Sequence, residues 1–160
     1  MADLIDPWAS FTLDYDKLVN QFGIGKISDI IQDVKNPQIL MKRGVIFGHR
    51  EFNEINNLIN QNKDFAVVTG MMPSGQMHIG HKMVVDQLKW YQEMGAMLSL
   101  PIADLEAYAA RDMSFEKGRE IALYEYLTNW IALGLDLEKD NVNVYLQSHF
   151  LLKSNSGLIA

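Results

Sequence analysis

Cysteine is absent from the 160 residues, which excludes a disulfide framework and thiolate metal sites together. The 4 histidines are scattered, without acidic neighbours at ligand spacing, so the sequence offers no metal site. Basic charge is short as well. With 14 Lys and Arg against 20 Asp and Glu the net charge is −6, which argues against a surface given over mainly to nucleic acid. No apolar run approaches the roughly 20 residues that a membrane span needs, and the start Met1-Ala2-Asp3 lacks the basic region of a secretory leader. The expectation is a cytoplasmic protein. No repeat and no low-complexity linker breaks the chain. What it does have is 48% hydrophobic residues, enough for one domain with a proper core.

The apolar pattern orders that core into an α/β unit behind a small helical region. Residues 14–22 read as a short helix broken at Gly23-Ile24-Gly25; Ser28 suits the cap of a second helix and Asn36-Pro37 the start of a third. Gly44-Val45-Ile46-Phe47 reads as a strand with His49-Arg50 as its solvated end. Residues 51–61 then form an amphipathic helix with Phe52, Ile55, Leu58 and Ile59 inward. Phe65-Ala66-Val67-Val68 is a short buried strand, and residues 82–94 a helix turning Val84, Leu88 and Tyr91 to one face. A near-continuous apolar strand follows over 96–103, as a parallel sheet covered on both faces requires. Ser114 caps a long helix with Ile121, Tyr124, Leu127 and Ile131 as its stripe, ended at Gly134, and Val142, Val144 and Leu146 close the series as a strand. Trp90 and Trp130 read as core, and Met71, Met72, Met77, Met83, Met94 and Met97 as adaptable core filling. Strand, helix, strand, helix, strand is half of a doubly wound sheet, whose ligands bind beyond the carboxyl ends of the strands.

Two segments fall at that edge. The first is Thr69-Gly70-Met71-Met72-Pro73-Ser74-Gly75-Gln76-Met77-His78-Ile79-Gly80-His81, where a strand runs into two histidines at the mouth of a helix. Gly80 lets a ligand approach the backbone, and the free N–H groups of a helix start favour phosphate. Neutral imidazoles donate to phosphate oxygens, more strongly as charge builds in a transition state. The second segment is Asp104-Leu105-Glu106-Ala107-Tyr108.

His-Ile-Gly-His preceded by Pro-Ser-Gly resembles the signature of class I aminoacyl-tRNA synthetases, and the wider text is similar to the amino-terminal half of the archaeal-type tryptophanyl branch. The similarity takes in Ile5-Asp6-Pro7-Trp8, Asp14-Tyr15-Asp16-Lys17-Leu18, residues 43–50, the signature, residues 102–108 and 131–136, and Val144-Tyr145-Leu146-Gln147-Ser148. The resemblance implies a Rossmann-like doubly wound parallel sheet over 43–148, a mainly helical region over 1–42, and a tail over 149–160 that does not resemble the family. It implies ATP-dependent activation of tryptophan and its transfer to tRNA(Trp), with Mg²⁺ on the phosphates and a homodimeric full-length protein. Thr69, Gly70, Pro73, Ser74 and Gly75 then shape the loop over ATP, and Gly80 lies under the adenine. His78 and His81 stabilise the triphosphate as the carboxylate attacks the α-phosphorus. Glu106 matches a family glutamate that holds the tryptophan ammonium, with Asp104 beside it and Val68 on the amino-acid side.

Val68 stands where eukaryotic-type relatives have a tyrosine, and Pro101 near where they have a glutamine, both readers of the indole N–H. Tyrosyl enzymes carry a segment similar to 103–108, which makes tyrosine the competing substrate. The same histidines would also suit a small nucleotidyltransferase acting on another acid, or a synthetase-like chain retained without catalysis. The family's Lys-Met-Ser-Lys-Ser loop, second half-sheet and anticodon domain have no counterpart here, so the 160-residue chain is expected to be weakly active or inactive by itself.

Overall fold

The computed structural model describes Val19 and residues 22–111 and 113–149. The expected helix over 14–22 and the tail over 149–160 fall outside these residues, apart from Val19, Phe22 and His149. The chain divides into two compact units, Met1–Lys63 and Asp64–Ala160, so the sequence boundary at 42/43 lies within the first. No helix among the described residues is long and apolar enough to cross a membrane.

In the first unit β1 (Gly25–Lys26) leads directly into α1 (Ile27–Ile30), and a 3-10 turn over Ile31–Asp33 follows. Ser28 does not cap α1. Lys26 holds that position, and the Ser28 hydroxyl bonds Asp29 instead. α2 (Ile39–Lys42) starts after Gln38 rather than at Asn36-Pro37. The strand expected over 44–47 is displaced to β2 (Gly48–His49), antiparallel to β1. The cause is local: the amides of Val45 and Ile46 both bond the Leu40 carbonyl, and Gly44 turns the chain at φ +68, so residues 44–46 are a turn before they can extend. α3 (Phe52–Asn60) buries Phe52 and Ile59 as expected. It also buries Asn56, whose amide joins that of Asn60 on the Asp33 carbonyl, each at 3.1 Å. His49 accepts the Phe52 amide, and Arg50 donates to the Phe22 carbonyl.

The second unit is a three-stranded parallel sheet in the order β3 (Ala66–Val68), β4 (Met97–Ile102), β5 (Val142–Leu146). Ala66 pairs with Met97, and Leu98 pairs with Val142. α4 (Ile79–Glu93) connects the first pair. α5 (Asp104–Arg111) and a second helical run connect the other, giving the Rossmann-like arrangement. β4 is the central strand, and Leu98, Leu100 and Ile102 are buried along it. β3 is not the buried strand expected: it lies at the edge of the sheet, with Val68 70% exposed. α4 begins earlier than its apolar run and turns Val85, Leu88, Trp90 and Gln92 inward in place of Val84 and Tyr91. Of the methionines expected in the core, Met71 is buried and Met97 is exposed.

The second helical run starts where Ser114, as expected, accepts the Lys117 amide at 3.2 Å. It continues as α6 (Phe115–Ile121), a π-helical stretch over Ala122–Leu127 and α7 (Thr128–Ala132). The expected stripe is wrong. Tyr124 and Ile131 are exposed, and the run buries Gly118, Ala122, Tyr126 and Trp130. Residues four apart share one helical face, and the face inward is the one through these smaller and aromatic residues, opposite the expected stripe. Gly134, at φ +89, ends the run, with Leu135 donating to Trp130 O at 3.0 Å. Buried Gln92 clamps the next turn, donating to Asp136 O at 2.7 Å and accepting from Asp136 N at 3.1 Å. Gln92→Leu leaves both peptide groups without that partner and is expected to lower stability by about 1–3 kcal/mol, read as a shift in the urea unfolding midpoint; an unchanged midpoint would show the clamp to be idle.

Candidate active site

The strand–helix junction is set by hydrogen bonds that run on after β3 ends. Thr69 N donates to Ser99 O at 3.3 Å, Met71 N to Pro101 O at 3.2 Å, and Ala103 N to Met71 O at 2.9 Å. The loop therefore stays on β4 to the carboxyl edge of the sheet. Gly70 suits that position because a Cβ would crowd Pro101 O at 3.2 Å. Pro73 is fully buried and anchors the loop's turn, while Ser74 N closes onto Met72 O at 2.8 Å.

His78 caps α4 and His81 sits one turn on, and the two make a reciprocal capping box. Gly80 N donates to His78 Nδ1 and His78 N donates to His81 Nδ1, both at 3.2 Å. A backbone N–H only donates, so both Nδ1 atoms are unprotonated and each neutral ring carries its proton on Nε2. The ring centroids are 4.0 Å apart. Gly80 makes this possible, since a Cβ would come within 3.0 Å of the His78 ring. Burial, and then the neighbouring His78, hold the His81 imidazole below its ordinary value, in the direction that favours the neutral ring. His81 Nε2 lies 3.3 Å from the hydroxyl of Tyr126. Burial pushes that hydroxyl upward, with hydrogen bonds from Ser74 acting the other way.

Thr69, Gly70, Ser74, His78, Gly80 and His81 line one open cavity of about 390 Å³, together with Val84, the residue displaced from the core face of α4. Pro73 and Gly75 support the loop without lining the cavity. A larger cavity of about 690 Å³ lies against Ile102, Leu123, Leu127, Val144 and Leu146. The smaller one is the candidate site, because of the two it is the one that combines the paired imidazoles with the positive end of a helix.

The second segment stands apart from that cavity. Asp104 begins α5 and is buried. Its Oδ1 accepts Ser148 N at 2.9 Å, and Oδ2 lies 4.0 Å from Arg119 Nε. Arg119 in turn donates to Ser148 Oγ at 3.2 Å. Glu106 is exposed and accepts from the Gln147 side chain at 3.2 Å. Val68 lies on the open edge of β3. Sequence reasoning missed Tyr126, Arg119, Gln147 and Ser148; the four-residue spacing from Gly118 through Tyr126 to Trp130 was the signal that pointed to the first.

A parallel α/β sheet with a histidine-capped helix at its carboxyl edge defines a nucleotide-binding architecture. The family model of tRNA synthetases class I (W and Y) matches residues 60–159, and the chain belongs to that family. It is 53% identical over 156 residues to the tryptophan–tRNA ligase of Methanocaldococcus jannaschii, covering 97% of this chain and 42% of that protein. It is 46% identical to the enzyme of the same name from Methanopyrus kandleri, covering 91% of this chain and 39% of that one. Among solved structures, tryptophanyl-tRNA synthetase from Aeropyrum pernix K1 matches with a TM-score of 0.78 and 39% identity, over 98% of this chain and 45% of that chain. The chain thus spans less than half the length of the relatives it matches.

Protonating His81 removes the acceptor for the His78 amide, and its folded value lies below the ordinary 6.5. The unfolded chain therefore takes up the proton first, so this contribution to stability is complete above about pH 6.5 and declines as pH falls through that value. Urea midpoints measured at pH 7.5, 6.5 and 5.5 should fall with acid in this window by more in the parent than in His81→Gln; equal falls would refute the assignment.

Proposed function

We propose that the whole protein activates tryptophan with ATP and transfers it to tRNA(Trp), and that this chain contributes the nucleotide signature. The observation that carries the reading is the imidazole pair at the start of α4, with ring centroids 4.0 Å apart over an open cavity. In this reading the tryptophan carboxylate attacks the α-phosphorus of ATP, forming the aminoacyl-adenylate as pyrophosphate leaves, and the adenylate then acylates tRNA. The imidazole pair offers N–H donation to the charge that develops on the phosphates. Thr69, Gly70, Pro73, Ser74 and Gly75 form the loop over the nucleotide, and Gly80 leaves room for the adenine. Glu106, presented by α5 with Gln147, receives the ammonium, since a cation leaving water needs a carboxylate. Asp104 holds the base of that helix, and Val68 lies on the amino-acid side.

Among the described residues no three His, Asp or Glu side chains stand together as a metal set, so these residues build no cage for Mg²⁺. The reading takes magnesium as part of the nucleotide substrate and routes no step through it. It also takes the whole protein as a cytoplasmic homodimer, on the strength of the family resemblance.

ATP–pyrophosphate exchange by the whole protein, with a panel of amino acids, tests the assignment. Stimulation by tryptophan is expected; stimulation by tyrosine alone, or by none, rejects it. His78→Ala and His81→Ala should each lower the rate of adenylate formation by roughly 10²-fold with little change in ATP affinity. Equal losses in binding and turnover would mean that the histidines serve ground-state binding. Glu106→Gln keeps shape and removes charge, so the Michaelis constant for tryptophan should rise far more than that for ATP. An effect confined to ATP would move Glu106 to the nucleotide site.

A further inference from the structure

The signature accounts for three of the four imidazole nitrogens through its hydrogen bonds, and one of those partners comes from far along the chain. His78 Nδ1 takes the Gly80 amide, His81 Nδ1 takes the His78 amide, and His81 Nε2 reaches Tyr126 Oη at 3.3 Å. Because His81 carries its proton on Nε2, the imidazole donates and the tyrosine oxygen accepts. Among the described residues His78 Nε2 has no such partner, which leaves its N–H as the free donor at the cavity.

Tyr126 is fully buried, and its ring meets the His81 ring edge-on at 5.4 Å and 74°. It sits in the π-helical stretch Ala122–Leu127. Tyr126 shares its buried face with Ala122 and Trp130. π turns inside α-helices are rare and concentrate at functional sites. The Thr128 hydroxyl supports the wide turn by bonding Leu123 O, five residues back, at 3.0 Å.

We propose that Tyr126 is a positioning residue for the signature: its hydroxyl oxygen holds the His81 ring, His81 Nδ1 thereby holds the His78 backbone, and His78 presents Nε2–H to the transferring phosphate. The two histidines then have different tasks, His78 as the outward donor and His81 as the brace. This rests on the functional reading above only for what the donor acts on; the hydrogen-bond chain stands by itself.

The test removes one hydroxyl. In the 160-residue chain, uniformly ¹⁵N-labelled, the His81 Nε2–H resonance should be observable near neutral pH and protected from exchange with water. In Tyr126→Phe it should exchange at least about tenfold faster while the backbone amide spectrum is kept. Unchanged exchange overturns the proposal. Should the phenylalanine variant not fold, 3,5-difluorotyrosine at 126 keeps the ring and weakens the oxygen as an acceptor; exchange must again quicken, and a constant rate overturns the proposal. In the whole protein, Tyr126→Phe should lower kcat for tryptophan-dependent pyrophosphate exchange by roughly tenfold with the KM for ATP within about twofold. A rise in KM alone counts against positioning. Absence of exchange in the parent itself rejects the functional reading, and the N–H measurement still decides the role of Tyr126.

Discussion

Burying Leu98, Leu100 and Ile102 takes β4 out of water and obliges its backbone groups to find strand partners on both sides. The second unit follows from that obligation. β5 answers on one side over five register pairs, whereas β3 answers on the other over only three. Thr69 and Met71 supply further bonds from the loop. The loop is therefore bound into the sheet, and α4 begins from a fixed edge. A histidine pair on an untethered loop would have to be ordered afresh for each ligand, at a cost of about 1–2 kcal/mol per residue fixed.

The same imidazoles serve structure and chemistry without conflict because their two nitrogens divide the work. Nδ1 satisfies helix-start amides that would otherwise need another partner, and that choice drives the proton to Nε2. A serine or aspartate could cap α4 as well, but neither could cap and still present an N–H toward the cavity. The lowered value of the His81 imidazole, produced by burial and then by the neighbouring His78, suits this arrangement, since a doubly protonated ring could not accept.

The local rules were readable in the sequence. Ser114 as a cap, Gly134 as a stop, Trp90 and Trp130 in the core and the parallel order of strands all follow from short-range chemistry, and the signature located the site through its spelling. What was not readable depended on neighbours. The apolarity of Ala66-Val67-Val68 indicates a strand but says nothing of whether a partner lies on its far side. The stripe through Tyr124 and Ile131 took the longer apolar side chains to be inward, whereas the run buries the face of Ala122, Tyr126 and Trp130. Asp104 looked like a ligand-facing carboxylate, and only the approach of Ser148, distant in sequence, shows its oxygen bound to a backbone amide.

Proline in a central strand is unusual because it has no N–H to give, yet Pro101 stands in the middle of the sheet. Its carbonyl faces β3, where it takes the Met71 amide. In a regular parallel ladder the amide of residue 101 would turn to the same side and bond the Thr69 carbonyl. That donor is missing, so the sheet carries a one-bond deficit beside the rim of the cavity that Thr69 lines. The deficit exempts the Thr69 carbonyl from the ladder and leaves an acceptor in reserve, at the place where β3 gives way to the loop before α4.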